Sequence, residues 1–333
     1  MNFTEKVNQL SGIIDEQLLP VINKNGKIDE CVYFDLPYHV NIGDTLIWHG
    51  TEHFLKRTGI KCLYKASCST FSKKTMKKIT RWREHSSCKK ILILLQGGGN
   101  FGDLYKSYHD FRKEIIRDYP DNPIIILPQT LFYKDESKIK ADVELFEKHK
   151  NLTICARDKK SYQIFKDNFK NEIIQVPDMA FCIPSDELKK NRSKQEARGL
   201  FLRRSDQEFN NIDYSEFIVE PNVDIRDWPT VEKMNTNRFL TLWLGRASRR
   251  IPVLFSKLTD IYAINFLKTC MIKSGVKFVS RYNKIYTTRL HVAILCTLLE
   301  KPYVFFDNSY GKNSTFFETW LNDLEEVKFI KAS

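Results

Sequence analysis

An arginine and a histidine, Arg289 and His291, stand at the start of an apolar run that extends from Val292 to Leu299. A helix over this run would have no polar face, so we expect it to be buried. The two polar side chains would then lie at its N-terminus, where unpaired N–H groups and the helix dipole favour an anion. A guanidinium can bind a carboxylate or a phosphate, and an imidazole can supply a proton. The pair is a candidate for acid catalysis on an anionic substrate, although two surface polar residues in the first turn of a helix explain it about equally well.

A glycine-rich segment follows Ile91–Leu95, whose aliphatic composition is typical of a strand buried on both faces. The segment consists of Gly97, Gly98, Gly99, Asn100, Phe101, Gly102 and Asp103. Its glycines permit positive φ angles and a close backbone approach to a ligand, yet their spacing matches neither the dinucleotide nor the Walker fingerprint. We expect ligand contact here, with Asp103 capping the next helix, binding hydroxyls, or both.

Polar residues also follow the first predicted strand, Cys31 to Leu36. Asn41 and Asp44 combine an amide with a carboxylate, which suits sugar hydroxyls because these need both donors and acceptors. Taken alone, the two residues are better explained by turn formation and helix capping. His39, taken alone, is interpreted as structural.

Three more predicted strand ends carry charged residues. Arg203 and Arg204 follow the run Gly199–Leu202, and Asp178 follows the run 173–176. Lys312 stands just after the buried run Tyr303–Phe306. A cluster such as Arg203 and Arg204 usually belongs to a solvated charged loop, and Asp178 taken singly is unremarkable.

Apolar runs alternate with helical patterns along the chain, which predicts an α/β fold with doubly wound parallel sheets. The polar segment 184–198 predicts a boundary between an N-terminal domain, 1–185, and a C-terminal domain, 186–333. In the second domain, residues 237–250 and 256–273 are predicted to be helical and Val276–Val279 extended. We expect two sheet domains that face each other across a cleft.

Composition limits the classes of partner. The chain has 333 residues, a net charge of +12 and a pI of about 9.2. This charge fits a small polyanionic substrate or an anionic membrane surface better than nucleic acid, because the cations are spread out and no zinc-finger or RNP-like motif occurs. Histidines and carboxylates show no metal-ligand spacing on one helix, so no metal site is predicted.

Localisation is predicted from three further features. The eight cysteines include no CxxC pair, and we interpret them as reduced. Residues 1–19 lack a signal-peptide pattern, and no apolar run is long enough to span a bilayer. The expected location is the cytoplasm.

The polar segments occur in a fixed order that resembles the bacterial polysaccharide pyruvyl transferases of exopolysaccharide and capsule biosynthesis. The matching segments are Asn41-Ile42-Gly43-Asp44, Gly97 to Asp103, Arg157-Asp158, Asp178, Leu202 to Glu208, Arg289-Leu290-His291 and Tyr310-Gly311-Lys312. The resemblance extends from about Tyr33 to Trp320, and residues 209–250 show no pattern that can be aligned.

The resemblance implies a GT-B-like fold with two Rossmann-type domains and the active site between them. It also implies transfer of a pyruvyl ketal from phosphoenolpyruvate to two hydroxyls of a sugar, commonly on a lipid-linked oligosaccharide, without a cofactor. Given that donor, we expect Arg289, Arg203 or Arg204, and Lys312 to bind its phosphate and carboxylate. His291 is the expected general acid, while Asp44, Asp103 or Asp178 would orient the acceptor or take its proton.

Other functions remain open at this point. A GT-B glycosyltransferase would bind UDP or GDP, and a non-catalytic carbohydrate-binding protein would bind glycans without releasing phosphate. A basic, aromatic-flanked helix around Trp243, Arg246, Arg249 and Arg250 could contact anionic lipid at the inner face of the membrane, although an ordinary domain helix has the same pattern.

Overall fold

The computed structural model describes residues 1–24, 26–84, 91–203, 222–232, 236–308 and 311–331. Seven strands of the first half form one parallel sheet in the order β2-β1-β3-β5-β6-β7, with β4 paired to β5. These strands are β1 (Glu30–Phe34), β2 (Lys61–Ala66), β3 (Leu92–Leu95), β4 (Gly98–Gly102), β5 (Ile124–Phe132), β6 (Leu152–Ala156) and β7 (Glu172–Gln175). The parallel α/β prediction is confirmed for this half.

Five strands of the second half form another parallel sheet in the order β12-β11-β10-β8-β9. They are β8 (Glu196–Leu202), β9 (Val223–Arg226), β10 (Tyr282–Thr287), β11 (Tyr303–Phe306) and β12 (Val327–Ile330). Because all pairs are parallel, the carboxyl ends of the strands in each sheet lie at one edge, where loops can converge on a ligand.

Helices connect most of these strands. Those of the first half are α1 (Phe3–Ile22), α2 (Ile42–Arg57), α3 (Lys73–Glu84), α4 (Lys106–Asp118), α5 (Ile139–Phe146), α6 (Lys159–Asn168) and α7 (Ser185–Lys189). Those of the second half are α8 (Pro229–Glu232), α9 (Thr236–Arg250), α10 (Pro252–Tyr262), α11 (Lys268–Ser280), α12 (Leu290–Leu298) and α13 (Lys312–Trp320). A 3₁₀ turn, Met179–Cys182, precedes α7, and a π-helical segment, Ala263–Leu267, joins α10 to α11.

Helix α12 is the buried apolar helix expected from the sequence. Its residues are buried apart from His291 in the first turn, and Arg289 occupies the N-cap position. The helix has no polar face to present to water, so it must pack on all sides. This packing fixes the position of the two polar residues at its start.

The two halves share a hydrophobic core. One apolar cluster contains buried residues of both sheets, including Leu92 and Leu94 of β3 and Leu200 and Leu202 of β8. Helix α1 also reaches the second half, since Phe3 stacks on Tyr303 with ring centroids 6.5 Å apart. The relative position of the two sheets therefore depends on continuous apolar packing.

Two local predictions were wrong. Val276–Val279 is not extended but belongs to α11, where Val276 and Val279 lie on a buried face with Met271 and Ile272. Burial of that helical face outweighs the preference of valine for strands. The segment from Gly97 to Asp103 is more than a loop, since residues 98–102 form β4 and pair with β5.

Gly50 is the point of closest approach between α2 and the 3₁₀ turn. A Cβ atom at Gly50 would lie 1.9 Å from the carbonyl oxygen of Met179, whereas nothing lies within 4 Å of a Cβ at Gly12 of α1. We predict that Gly50→Ala destabilises the fold by about 1–3 kcal/mol through overpacking. Gly12→Ala, the matched control, should be neutral or stabilising by about 0.5–1 kcal/mol. Urea unfolding measures both, and equal effects of the two substitutions would contradict this contact.

Candidate active site

A cavity of about 300 Å³ lies between loops of the two sheets. Loops after β1 and β3 line one wall, and loops after β9 and β10, together with the start of α13, line the other. Ligands of open α/β sheets bind at such strand ends. The carboxyl ends of strands from both sheets therefore contribute to a single candidate site.

Arg289, His291 and Lys312 form the wall from the second half. The Nη2 atom of Arg289 donates to Asp227 Oδ2 at 2.5 Å, which fixes the guanidinium, and its buried Nε has no hydrogen-bond partner among the described residues. Lys312 brings a second cation to the same cavity. This wall therefore suits an anion with more than one charged group.

Asn41, Asp44 and His39 form the opposite wall. The Asn41 side chain accepts from the amide of Gly43 at 3.0 Å and donates to Asp44 Oδ2 at 2.8 Å. His39 Nε2 lies 3.6 Å from the same carboxylate oxygen, and burial lowers the pKa of His39 although Asp44 raises it. The helix-capping explanation of Asn41 is confirmed, and the residue also reaches the cavity.

Asp178 lies behind His291. The carboxylate is buried and accepts from Arg157 Nη1 at 2.9 Å and from the amide of Ala180 at 2.9 Å. His291 Nε2 lies 3.3 Å from Asp178 Oδ2. Burial alone would raise the pKa of Asp178, but His291, Arg157 and the Ala180 amide together hold it well below its ordinary value. A carboxylate that stays charged therefore lies directly behind the imidazole at the cavity.

Glycines allow this close arrangement. A Cβ atom at Gly43 would lie 2.4 Å from His291 Nδ1, so the imidazole packs directly on the backbone of α2. A Cβ at Gly99 would lie 3.1 Å from Lys312 Nζ, and Gly98 has a φ angle of 138°. Gly99 and the neighbouring Asn100 line the cavity, and Asn100 also accepts from Arg112 Nη2 at 2.8 Å.

Some predicted site residues lie elsewhere. Asp103 is outside the cavity lining, and its carboxylate accepts from the amides of Lys134 at 2.7 Å and Asp135 at 3.2 Å. Asp103 therefore fixes the turn after β5, which does not support a catalytic role. The Arg203 guanidinium lies over the Phe201 ring, 6.0 Å from its centroid, and is also outside the lining. Arg204, like Tyr310 of the family motif, falls outside the described residues.

Asp35 is a lining residue that the sequence prediction missed. It directly follows β1 with a φ angle of 65°, it is buried, and its nearest cation is Arg112 at 3.6 Å. Burial raises the pKa of Asp35 to about 7 although Arg112 lowers it, so part of the population carries a proton near neutral pH. A carboxylate placed immediately after an apolar strand was the available signal for this residue.

The aromatic residues of the cavity were also missed. Tyr105, Tyr108 and Trp228 line it, together with Gln96, whose Nε2 donates to the backbone oxygen of Asp44 at 3.1 Å. Aromatic walls with a few fixed polar groups are typical of sites for small organic ligands. Spacing could not reveal them, because Trp228 is distant in sequence from the two tyrosines.

The sequence analysis predicted no metal site, and it did not consider a cluster of potential ligands that α2 and α7 bring together. His49 and His53 lie four residues apart on α2, and their Nε2 atoms approach the carboxylate of Glu187 on α7. The i, i+4 spacing of the two histidines was the available signal in the sequence, whereas the carboxylate comes from a different helix and local spacing could not indicate it. The cluster is not part of the cavity lining.

The fold and the cavity define a class of protein: a parallel α/β enzyme whose site combines fixed cations, an imidazole with a carboxylate behind it, and groups that can bind hydroxyls. The sequence model of the polysaccharide pyruvyl transferase family matches residues 41–310. The chain belongs to this family, and the resemblance seen in the motifs is confirmed.

Individual proteins agree with this family assignment. EpsO of Bacillus subtilis, whose name assigns it provisionally to the pyruvyl transferases, is 32% identical over 97% of this chain and 92% of its own length. Pyruvyl transferase 1 of Schizosaccharomyces pombe is 25% identical over 89% of this chain and 70% of its own. A crystal structure of a Klebsiella pneumoniae protein of uncharacterised function superposes with a TM-score of 0.57 at 20% identity, covering 95% of this chain and 96% of that one, which supports the fold.

The contact between Gly43 and His291 makes a test of the site possible. We predict that Gly43→Ala displaces the imidazole and lowers pyruvyl transfer by up to about 100-fold, because misplacing a catalytic group by about 1 Å can cost that much. Steady-state rates should be compared with those of Gly12→Ala, whose helix has room for the methyl group. Wild-type rates in a folded Gly43→Ala variant would show that the imidazole position is unimportant.

Proposed function

We propose that the enzyme transfers a pyruvyl group from phosphoenolpyruvate to two hydroxyls of one sugar residue in a surface-polysaccharide precursor, forming a ketal and releasing phosphate. Family membership supports pyruvyl transfer to a polysaccharide. The observation that carries the finer proposal is the single cavity in which Arg289, His291 and Lys312 face Asn41 and Asp44. One wall suits the anionic donor and the other suits the sugar.

The donor is assigned to the second-half wall. Phosphoenolpyruvate carries a phosphate and a carboxylate, and Arg289 and Lys312 provide a cation for each. The N-terminus of α12, where Arg289 occupies the N-cap position without a side-chain capping bond, adds free N–H groups and the positive end of a helix dipole. Arg203 lies outside the cavity, so the donor site is assigned to Arg289 and Lys312 without it.

His291 is assigned as the general acid. It gives a proton to the methylene carbon of the donor, so C2 becomes electrophilic with oxocarbenium character, and Asp178 stabilises the imidazolium before transfer. One sugar hydroxyl then attacks C2, the C2–O bond to phosphate breaks, and the second hydroxyl closes the ketal. Of the two hydroxyl protons, one restores His291 and the other leaves with phosphate.

Asp44 is assigned to the acceptor. It lines the cavity and is oriented by Asn41, whereas Asp178 lies behind His291 and Asp103 lies outside. Asp35, with its pKa near 7, can donate a hydrogen bond to a hydroxyl or accept one. The mechanism uses no cofactor, with phosphoenolpyruvate as a substrate.

The GT-B-like description and the division into residues 1–185 and 186–333 belong to this proposal. Two parallel sheets with a ligand cavity between their loops support such an arrangement. The extensive shared core and the packing of α1 on Tyr303 join the two halves by apolar contacts.

The proposed reaction is tested by phosphate release. Purified enzyme with phosphoenolpyruvate and a galactoside or hexosamine acceptor should release phosphate and form an acid-labile pyruvyl ketal, and each substrate alone should give neither. A nucleotide-sugar glycosyltransferase would instead bind UDP or GDP. A non-catalytic carbohydrate-binding protein would bind the acceptor without releasing phosphate.

We predict that His291→Gln lowers turnover by about 10²–10⁴-fold, the usual contribution of general acid catalysis. Donor affinity, measured by calorimetry, should change little, because Arg289 and Lys312 remain. Asp103→Asn is the control and should keep near-wild-type turnover, since Asp103 contacts the turn at residues 134 and 135. Near-normal turnover of His291→Gln would remove this residue from the acid role.

A lipid-linked acceptor at the inner face of a membrane is the partner we propose. Eight exposed large apolar side chains lie on α9, on α10 or in the connections next to them: Phe239, Leu242, Trp243, Ile251, Leu254, Leu258, Ile261 and Phe266. Four exposed cations lie among them: Arg246, Arg249, Arg250 and Lys257. We refer to these twelve residues as the α9–α10 surface. Within the described ranges, no helix combines the length and apolar composition needed to cross a bilayer.

The charge of the α9–α10 surface favours anionic lipid over a second copy of the chain. The one acid between residues 236 and 267 is Asp260, whose pKa burial raises to about 6, so two such surfaces would oppose cations to cations. Burial raises the pKa of Tyr108, which lines the cavity, and the charge of Arg249 on this surface acts against that rise, so the surface is near the cavity. A membrane bound here would bring a lipid-linked sugar close to Asp44.

We predict that the protein floats with phosphatidylglycerol-containing vesicles at low salt and less with phosphatidylcholine alone, since each basic side chain near anionic lipid contributes about 1 kcal/mol. Replacing Leu254 and Leu258 by serine should reduce binding by about tenfold or more, because each leucine loses on the order of 1 kcal/mol of apolar burial. Ile225→Ser is the matched control, because Ile225 is 57% exposed on β9, outside the α9–α10 surface. Equal flotation of all variants, or no flotation, would contradict lipid contact here.

A further inference from the structure

A second polar cluster lies along α2, away from the cavity lining. His49 and His53 present their rings on the same helix face because they are four residues apart. His49 Nε2 lies 2.6 Å from Glu187 Oε1, His53 Nε2 lies 3.0 Å from Glu187 Oε2, and the two Nε2 atoms are 3.3 Å apart. Three potential ligand atoms from two helices therefore converge on one point.

Hydrogen bonding accounts poorly for this convergence. If both rings donate from Nε2 to Glu187, two N–H donors lie next to each other with their nitrogen atoms 3.3 Å apart, and neither can accept from the other. When one ring accepts from the other, only one Nε2 donates to the carboxylate. Nδ1 of His49 is buried and has no hydrogen-bond partner among the described residues, so that side of the ring supplies no compensation.

A divalent cation at the same point accounts for all three contacts. Zinc binds histidine nitrogen and carboxylate oxygen at about 2.0–2.2 Å, which places the ligand atoms of a tetrahedral site about 3.3 Å apart. The observed separations of 2.6–3.3 Å require only small side-chain rotations to reach this geometry.

The surroundings also contain positive charge. Lys268 lies near both rings, but it pairs with Glu52, which also pairs with Lys65. Lys56 lies near His53. These cations weaken the attraction for a metal ion, and the Glu52 carboxylate and Glu187 offset them in part.

We propose that His49, His53 and Glu187 bind one zinc ion, with water in the fourth position. The ion would link α2 to α7, the helix that follows the turn Met179–Cys182. That turn already packs against α2 at Gly50. Helix α2 carries Asn41 and Asp44 at its start, and Asp178 caps that turn and contacts His291. The zinc ion therefore holds together two elements of the active site from outside the cavity.

Zinc titration of the metal-free full chain tests this site. Calorimetry should show one site per chain in wild type, with affinity reduced by at least about 100-fold in His53→Asn and in Glu187→Gln, beyond the usual effect of outer-shell partners. Glu144→Gln, which removes an exposed acid on α5, is the matched control and should bind like wild type. Zinc should also raise the melting temperature of wild type but not of Glu187→Gln.

Cobalt substitution separates this site from binding to cysteines. The wild-type complex should show visible bands of tetrahedral nitrogen and oxygen coordination, without the near-ultraviolet charge-transfer band of a thiolate ligand. No zinc binding by wild type, unchanged binding in both variants, or a thiolate band would each overturn the proposal. Because the Glu187 side chain is 44% exposed, Glu187→Gln decides the matter even when a histidine variant folds poorly. None of these readouts depends on the proposed transfer reaction.

Discussion

The site depends on the interactions of the buried Asp178 carboxylate with Arg157 and His291. A charge in the interior must be paired and hydrogen-bonded, because its desolvation otherwise costs several kcal/mol. Asp178 meets this requirement with Arg157, which follows β6 of the first sheet, and with His291 at the start of α12 in the second half. The same carboxylate therefore joins the two halves and holds the imidazole at the cavity.

The distribution of polar groups follows from this constraint. Arg157 is wholly buried, and its Nε and Nη2 atoms also donate to Thr130, so it is fixed in place. His291 lies against Asp178 on one side, 3.3 Å from its Oδ2 atom, and against the backbone at Gly43 on the other. In the proposed mechanism, an imidazole held in this way transfers its proton without reorganisation, as general acid catalysis requires.

The sequence predicted most helices and most of the buried strands, but not β2, β4, β9 or β12, and it predicted that polar residues at strand ends form the site. It could do so because buried parallel strands appear as continuous apolar runs and their loops carry the remaining polar residues. It could not determine which strand ends meet in space. Asp103 and Asp44 both follow strands, yet only Asp44 faces the cavity.

Residues whose role depends on long-range packing were the ones missed. Asp35 is unusual because of its burial beside Arg112, and Glu187 is notable because α7 places it against α2. Neither relation is encoded in local spacing. The alignment of Val276–Val279 with a buried helical face is likewise set by tertiary packing.

A crystal structure with phosphoenolpyruvate tests the central claim most directly. The donor should lie in the cavity with its phosphate and carboxylate on Arg289 and Lys312, and with its methylene carbon within about 3.5 Å of the His291 ring, the distance of a reactive complex. Phosphoenolpyruvate bound elsewhere, or bound in the cavity with its methylene carbon turned away from His291, would contradict the mechanism.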